Sequence, residues 1–206
     1  MNAKVLKRFV IYMAILTFVM FTVWALVRSF MSRPPGDYET EVCDNRLKDK
    51  LYDKAIQAAN TALEKTPNHR GAIMCKALVF ISQKTYPEAN EELNYLINFL
   101  EKNIQDDDLT GIGTLAAAYA NRGIIKDRQE NYKEALEDYI KAIKIDEEAV
   151  GGPGFGTVIL NYKFKSSSVK KRAIYIHEQL QLPKNERVLK INELDEGQVM
   201  HKPGKL

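Results

Sequence analysis

The chain predicts an all-α protein: an N-terminal transmembrane helix, a short solenoid of about three helix hairpins, and a C-terminal capping region. Three features carry this expectation. Phe9 to Val27 contain no charge. From residue 38 to 149, apolar positions return at helical spacing in segment after segment. One skeleton also recurs, Tyr52 with Ala55, Tyr86 with Ala89 and Tyr132 with Ala135, the first two copies 34 residues apart. A period of that length belongs to stacked helix–turn–helix arrays.

The uncharged run FVIYMAILTFVMFTVWALV would cover about 28 Å as a helix, close to the hydrocarbon thickness of a bilayer. Trp24, near its end, suits the headgroup layer. The rival reading is a cleaved signal peptide, whose apolar core is about 7–15 residues and ends at a small-residue cleavage site. Val27–Arg28–Ser29–Phe30–Met31 offers no good site, so residues 9–27 are expected to be an uncleaved anchor in contact with lipid. Residues 1–8 form a basic flank with Lys4, Lys7 and Arg8, against Arg28 and Arg33 beyond the span. That excess points the N-terminus to the cytoplasm and the body across the membrane. The expected location is a bacterial inner membrane, crossed once, with the body in the periplasm.

Residues 28–37 read as a linker ending in the breaker cluster Arg33–Pro34–Pro35–Gly36–Asp37. Leu47, Leu51, Ala55, Ala58, Ala59, Ala62 and Leu63 keep helical spacing from Asp44 to Lys65, and Pro67 stops that run. Ala72 to Ser82 is apolar almost throughout, as a buried helix is. Lys84 to Tyr86 makes a turn, with Pro87 suited to the first turn of a helix carrying Ala89, Leu93, Leu96, Ile97 and Leu100. Asp106–Asp107–Asp108 offers N-caps for a longer helix to about Lys126. Gln129–Glu130–Asn131 turns into a last repeat helix, Tyr132 to Ile145. Residues 150–194 are expected to form a glycine-rich hinge and a cap. Within them lie a short extended piece at Thr157–Phe164, a helix from Val169 to Leu182, and a further short helix opened by Pro183 and containing Val188, Leu189 and Ile191. Residues 195–206 read as a flexible tail.

Composition excludes several functions. Before residue 36 there are five basic and no acidic residues, leaving 25 basic and 27 acidic in the rest. A near-neutral body lacks the concentrated basic face that nucleic acid requires. Gly151–Gly156 has neither the Gly-Lys-Ser/Thr of a phosphate loop nor a preceding strand. His69, His177 and His201 are scattered, with His69 read as a surface residue beside a repeat turn. No catalytic arrangement, cofactor, metal site or small-molecule substrate is indicated. Cys43 and Cys75 fit no zinc pattern. They read as small buried residues or as a pair, the latter only in an oxidising compartment and with Cα atoms within about 7 Å.

These residues resemble the tetratricopeptide repeat family. In that family's 34-residue frame, residues 116–149 place Tyr119, Gly123, Tyr132, Ala135, Tyr139 and Ala142 at the signature positions. Lys126 stands where an aromatic is common and Glu147 where proline is usual. Residues 70–103 match more loosely through Ile73, Ala77, Phe80, Tyr86, Ala89 and Leu93. Residues 36–69 match mainly in their second half, through Tyr52, Ala55, Ala59, Ala62 and Pro67. The glycine and alanines let paired helices approach, and the tyrosines fill gaps between hairpins.

The resemblance implies that the first helix of each hairpin lines a concave groove. Its positions here are Met74, Leu78, Ile81 and Ser82 in the second repeat, and Ala120, Ile124, Asp127 and Arg128 in the third. Such a groove, apolar with a polar end, suits an apolar helix or extended segment, unless the membrane-proximal or C-terminal segment covers it. The basic clamp with which some members bind acidic chaperone tails is missing, since Thr40, Asp44, Gly71 and Cys75 stand there. The expected function is binding: a membrane-anchored scaffold or assembly factor for an envelope complex, its partners membrane or periplasmic proteins. The alternative is a constitutive accessory subunit of a larger membrane complex. A non-enzymatic role follows from either.

Overall fold

The computed structural model describes residues 3–31, 33–150 and 168–191, and these contain helices and no strand. The expected glycine-rich hinge, the extended piece and the tail lie outside the described residues. Helix α1, Ala3–Met31, contains an apolar stretch, Ala3–Arg28, with a mean hydropathy of 2.4 and exposed side chains. It is long and apolar enough to cross a membrane. Arg28 lies over the Trp24 ring at 5.2 Å, a cation–aromatic contact at the end of the uncharged run.

The body is a series of antiparallel pairs. Helices α2 (Asp37–Lys48) and α3 (Tyr52–Lys65) form the first, α4 (Arg70–Gln83) and α5 (Tyr86–Asn103) the second, and α6 (Leu109–Arg128) and α7 (Tyr132–Ile145) the third. A single turn, α8 (Glu147–Val150), follows, and α9 (Val169–Gln181) packs against α7 and α8. The helical spacing from Asp44 to Lys65 is therefore interrupted. Lys50 adopts φ 58° and splits the run at residues 49–51.

That break is the first of three equivalent turns. Lys50, Lys84 and Glu130 are the non-glycine residues with positive φ among the described residues, each two positions before Tyr52, Tyr86 or Tyr132. The N–H groups of Leu51, Thr85 and Asn131 donate to the carbonyls of Arg46, Phe80 and Lys126 at 2.8–3.0 Å. Those of Lys50, Lys84 and Glu130 donate to Leu47, Ile81 and Asp127. This is the same paired hydrogen-bond closure of a helix C-terminus three times. The insertion before the third repeat lengthens α5 and α6 and leaves the turn unchanged.

Close approach inside the pairs rests on small residues. Ala55, Ala89 and Ala135 are fully buried. A Cβ on Gly123 would lie 2.6 Å from the ring of Tyr139, so only glycine allows α6 and α7 their separation. Lys126, which departs from the aromatic preference, pairs with the buried Asp138 at 2.7 Å. Asp138 also receives both Nε and Nη2 of Arg122. One core cluster runs through the second and third pairs to Val150, Val169, Ala173 and Ile176, and a smaller one joins Cys43, Ala55, Ala59, Cys75 and Val79.

The cap holds by charge as well as packing. Arg172 of α9 donates Nε and Nη2 to the two carboxylate oxygens of Asp127 at 2.8 Å, and Tyr139 donates to the same carboxylate at 3.0 Å. The expected helix around Val188–Ile191 does not form. After a 3₁₀ turn at Lys184–Glu186 the chain turns back along α9, fixed by Arg187 to the Leu180 and Leu182 carbonyls and by the Leu189 carbonyl to Arg172. These carbonyl contacts replace the internal hydrogen bonds a helix would have made.

Candidate functional site

The inner helices α2, α4 and α6 bring their N-terminal halves around a cavity of about 820 Å³. Asp37, Thr40, Glu41 and Asp44 recur at three- and four-residue intervals and so share one face of α2. They line one wall. Asn68, His69, Arg70, Gly71 and Met74, at the start of α4, form the back. Asp108, Thr110 and Thr114 of α6, with Phe99, Leu100, Asn103 and Ile104 at the end of α5, form the other side. Arg33 and Pro34, just past α1, reach the rim.

Local chemistry explains why these groups stay in place. Gly36 has φ 95°, a left-handed conformation, and a Cβ there would lie 2.9 Å from the His69 ring. Glycine thus lets the linker pass tightly against α4. His69 is 11% exposed at its side chain and caps α4, its Nδ1 accepting from the Ala72 N–H at 3.2 Å. With Nδ1 accepting, Nε2 carries the proton and donates to Asp37 at 2.9 Å. The surface reading of this histidine is corrected: it ties the start of α2 to the start of α4. Thr66 donates to the Pro35 carbonyl at 2.8 Å, and Lys65 pairs with Glu39 at 2.7 Å. Asp108 caps α6 by accepting from the Gly111 N–H at 2.8 Å. The neighbouring Arg70 guanidinium, and then that N–H, hold its carboxyl below the usual range.

Cys43 on α2 and Cys75 on α4 are joined in a disulfide, Cα to Cα 6.4 Å, and both are fully buried. The two readings of these cysteines, buried and paired, are both realised. The bond fastens the first pair to the second directly behind the cavity.

Of the groove positions inferred from sequence, Met74 lines the cavity. Leu78, Ile81, Ala120 and Ile124 are buried in the shared core. Asp127 is covered by Arg172, while Ser82 and Arg128 are half-buried near the far ends of their helices. Sequence reasoning missed the charged lining, Arg33, Asp37, Glu41, Arg70 and Asp108. The signal was present in the acids recurring every three or four residues from Asp37, but only the stacking of three helices turns that face into a wall.

Residues 116–148 match the family model described as tetratricopeptide repeat. The match covers α7 and the C-terminal part of α6, within the third helix pair. The all-helical body fits that family, and its first two pairs share the turn and the buried alanine of the third. Tetratricopeptide repeats bind other proteins and are generally non-enzymatic. No curated protein matches the chain. Among the described residues, no three His, Cys, Asp or Glu side chains converge as a metal site.

Proposed function

We propose that this chain is a single-pass, membrane-anchored interaction module that holds partner proteins at the outer face of a bacterial inner membrane, as a scaffold or assembly factor. The reading rests chiefly on the join between anchor and repeat. Helix α1 ends at Met31, and by Pro34 the chain is already bonded to the body, through the Asp37 N–H to the Pro34 carbonyl and Arg33 to Glu41. A binding body so tied works on what lies at the membrane surface. The disulfide supports an oxidising compartment, hence the periplasm, because cytosolic thiols are kept reduced. The charge excess of residues 1–8 supports the same orientation.

Topology is tested with Glu137→Cys, an exposed position on α7, and a membrane-impermeant maleimide in intact cells. Labelling without permeabilisation is expected, and labelling only after permeabilisation reverses the orientation. Crosslinking in native membranes, followed by purification in mild detergent, tests the binding role. A dilute, exchangeable partner supports the assembly factor, a stoichiometric complex supports the constitutive subunit, and no captured protein counts against both.

A further inference from the structure

We infer, resting on the membrane-anchored reading above, that the cavity between α2, α4 and α6 takes the membrane-exit segment of another membrane protein, a short apolar stretch carrying lysine or arginine. Height selects this occupant. Between Val27, the last residue of the uncharged run, and Arg33 on the rim there are six residue steps, four of them within α1. Helical and extended rises place the rim no more than about 13 Å beyond the hydrocarbon edge. The headgroup layer takes up roughly 5–8 Å of that. Another protein's chain leaving the bilayer passes at the same level.

Charge selects the sequence of that segment. Four carboxylates line the cavity, Asp37, Glu41, Asp44 and Asp108, against two guanidinium groups, Arg33 and Arg70. An acidic lining repels anionic headgroups and free phosphate and attracts lysine or arginine. The chain supplies its own example of the fit, because Arg33 belongs to an exit segment and sits in this rim against Glu41 at 2.9 Å. An ionised carboxylate has about four acceptor sites, and Asp37, 44% exposed, gives one to His69. Met74, Phe99, Leu100 and Ile104 form an apolar floor for the residues flanking the cation. The volume falls in the range of about 300–1,000 Å³ usual for binding clefts.

The test uses the full chain in phosphatidylcholine nanodiscs and two fluorescein-labelled decapeptides of leucine and phenylalanine, one with two arginines and one with two glutamates. The arginine peptide is expected to bind and the glutamate peptide not. Asp44→Lys and Thr110→Trp, the latter filling the cavity from an exposed lining position, should each weaken binding about tenfold or more. Melting temperatures check folding, and Asp44→Asn replaces Asp44→Lys if that variant unfolds. Equal binding of both peptides, or binding indifferent to both substitutions, overturns the inference. So does binding that appears only with phosphatidylglycerol nanodiscs, which shows the arginine peptide adsorbing to anionic lipid and not to the cavity. If the cavity variants still capture the wild-type partners in native membranes, the interaction role stands and this site for it falls.

Discussion

In the third helix pair, Gly123 meets the ring of Tyr139 and the cap enters through Arg172 onto Asp127. In the first pair, a disulfide, His69 and the Lys65–Glu39 ion pair fasten α2 to its neighbours. The backbone turn is identical in both. One region is held by shape and a buried charge pair, the other by a covalent bond and a polar latch. A single hairpin geometry thus tolerates different means of closure, and only the first kind carries the family's sequence signature strongly.

That contrast can be broken at either end. The largest effect is expected for Asp127→Ala, which leaves Arg172 buried at 2% exposure without its carboxylate. A loss of about 3–5 kcal/mol is expected in denaturant unfolding, whereas Asp127→Leu with Arg172→Met should be close to neutral. Equal losses in both variants would show that the pair acts through packing alone. Next comes Cys43→Ala with Cys75→Ala, which removes a cross-link between residues 32 apart. It should cost about 2–4 kcal/mol, and reductant should lower the melting temperature of the wild type but not of this variant. Gly123→Ala follows, at about 1–3 kcal/mol for forcing a methyl against Tyr139, partly offset by better helix propensity.

Smaller effects sharpen the comparison. Asp108→Asn removes the ion pair with Arg70 but keeps a capping oxygen, so a loss of about 1 kcal/mol or less is expected. Folding lowers this carboxyl from its ordinary value of 3.8. Its contribution is therefore complete above about pH 4 and lost as pH falls through the lowered value. The difference between wild type and Asp108→Asn should shrink across that acidic window in urea titrations. Lys84→Gly relieves a left-handed φ of 62° and should be neutral to stabilising by about 1 kcal/mol.

The long apolar N-terminal helix, the second and third pairs and the helix α9 were legible because apolar periodicity and punctuation by Pro67, Pro87 and Asp108 act locally. The split of α2 from α3 was not, because Lys50 gives no glycine signal and the apolar spacing runs across it. The helix expected at Val188–Ile191 failed because the Leu189 and Val188 carbonyls accept from Arg172 and Tyr175, and the Val188 N–H donates to the side chain of Gln179 on α9. In the site, Met74, Thr40, Asp44 and Gly71 could be placed on the inner face from the repeat frame. The remaining lining depends on which helix ends meet in space, as does the pairing of Cys43 with Cys75, and neither is a local property.

The turns at Lys50, Lys84 and Glu130 also bear on how the hairpins compare with one another. Their shape is written in main-chain hydrogen bonds, and the residues that supply them differ from corner to corner: Leu51, Thr85 and Asn131 donate the same bond from unlike side chains. One left-handed residue is the common demand. The three hairpins of this chain therefore superpose more closely in backbone torsion than in residue identity.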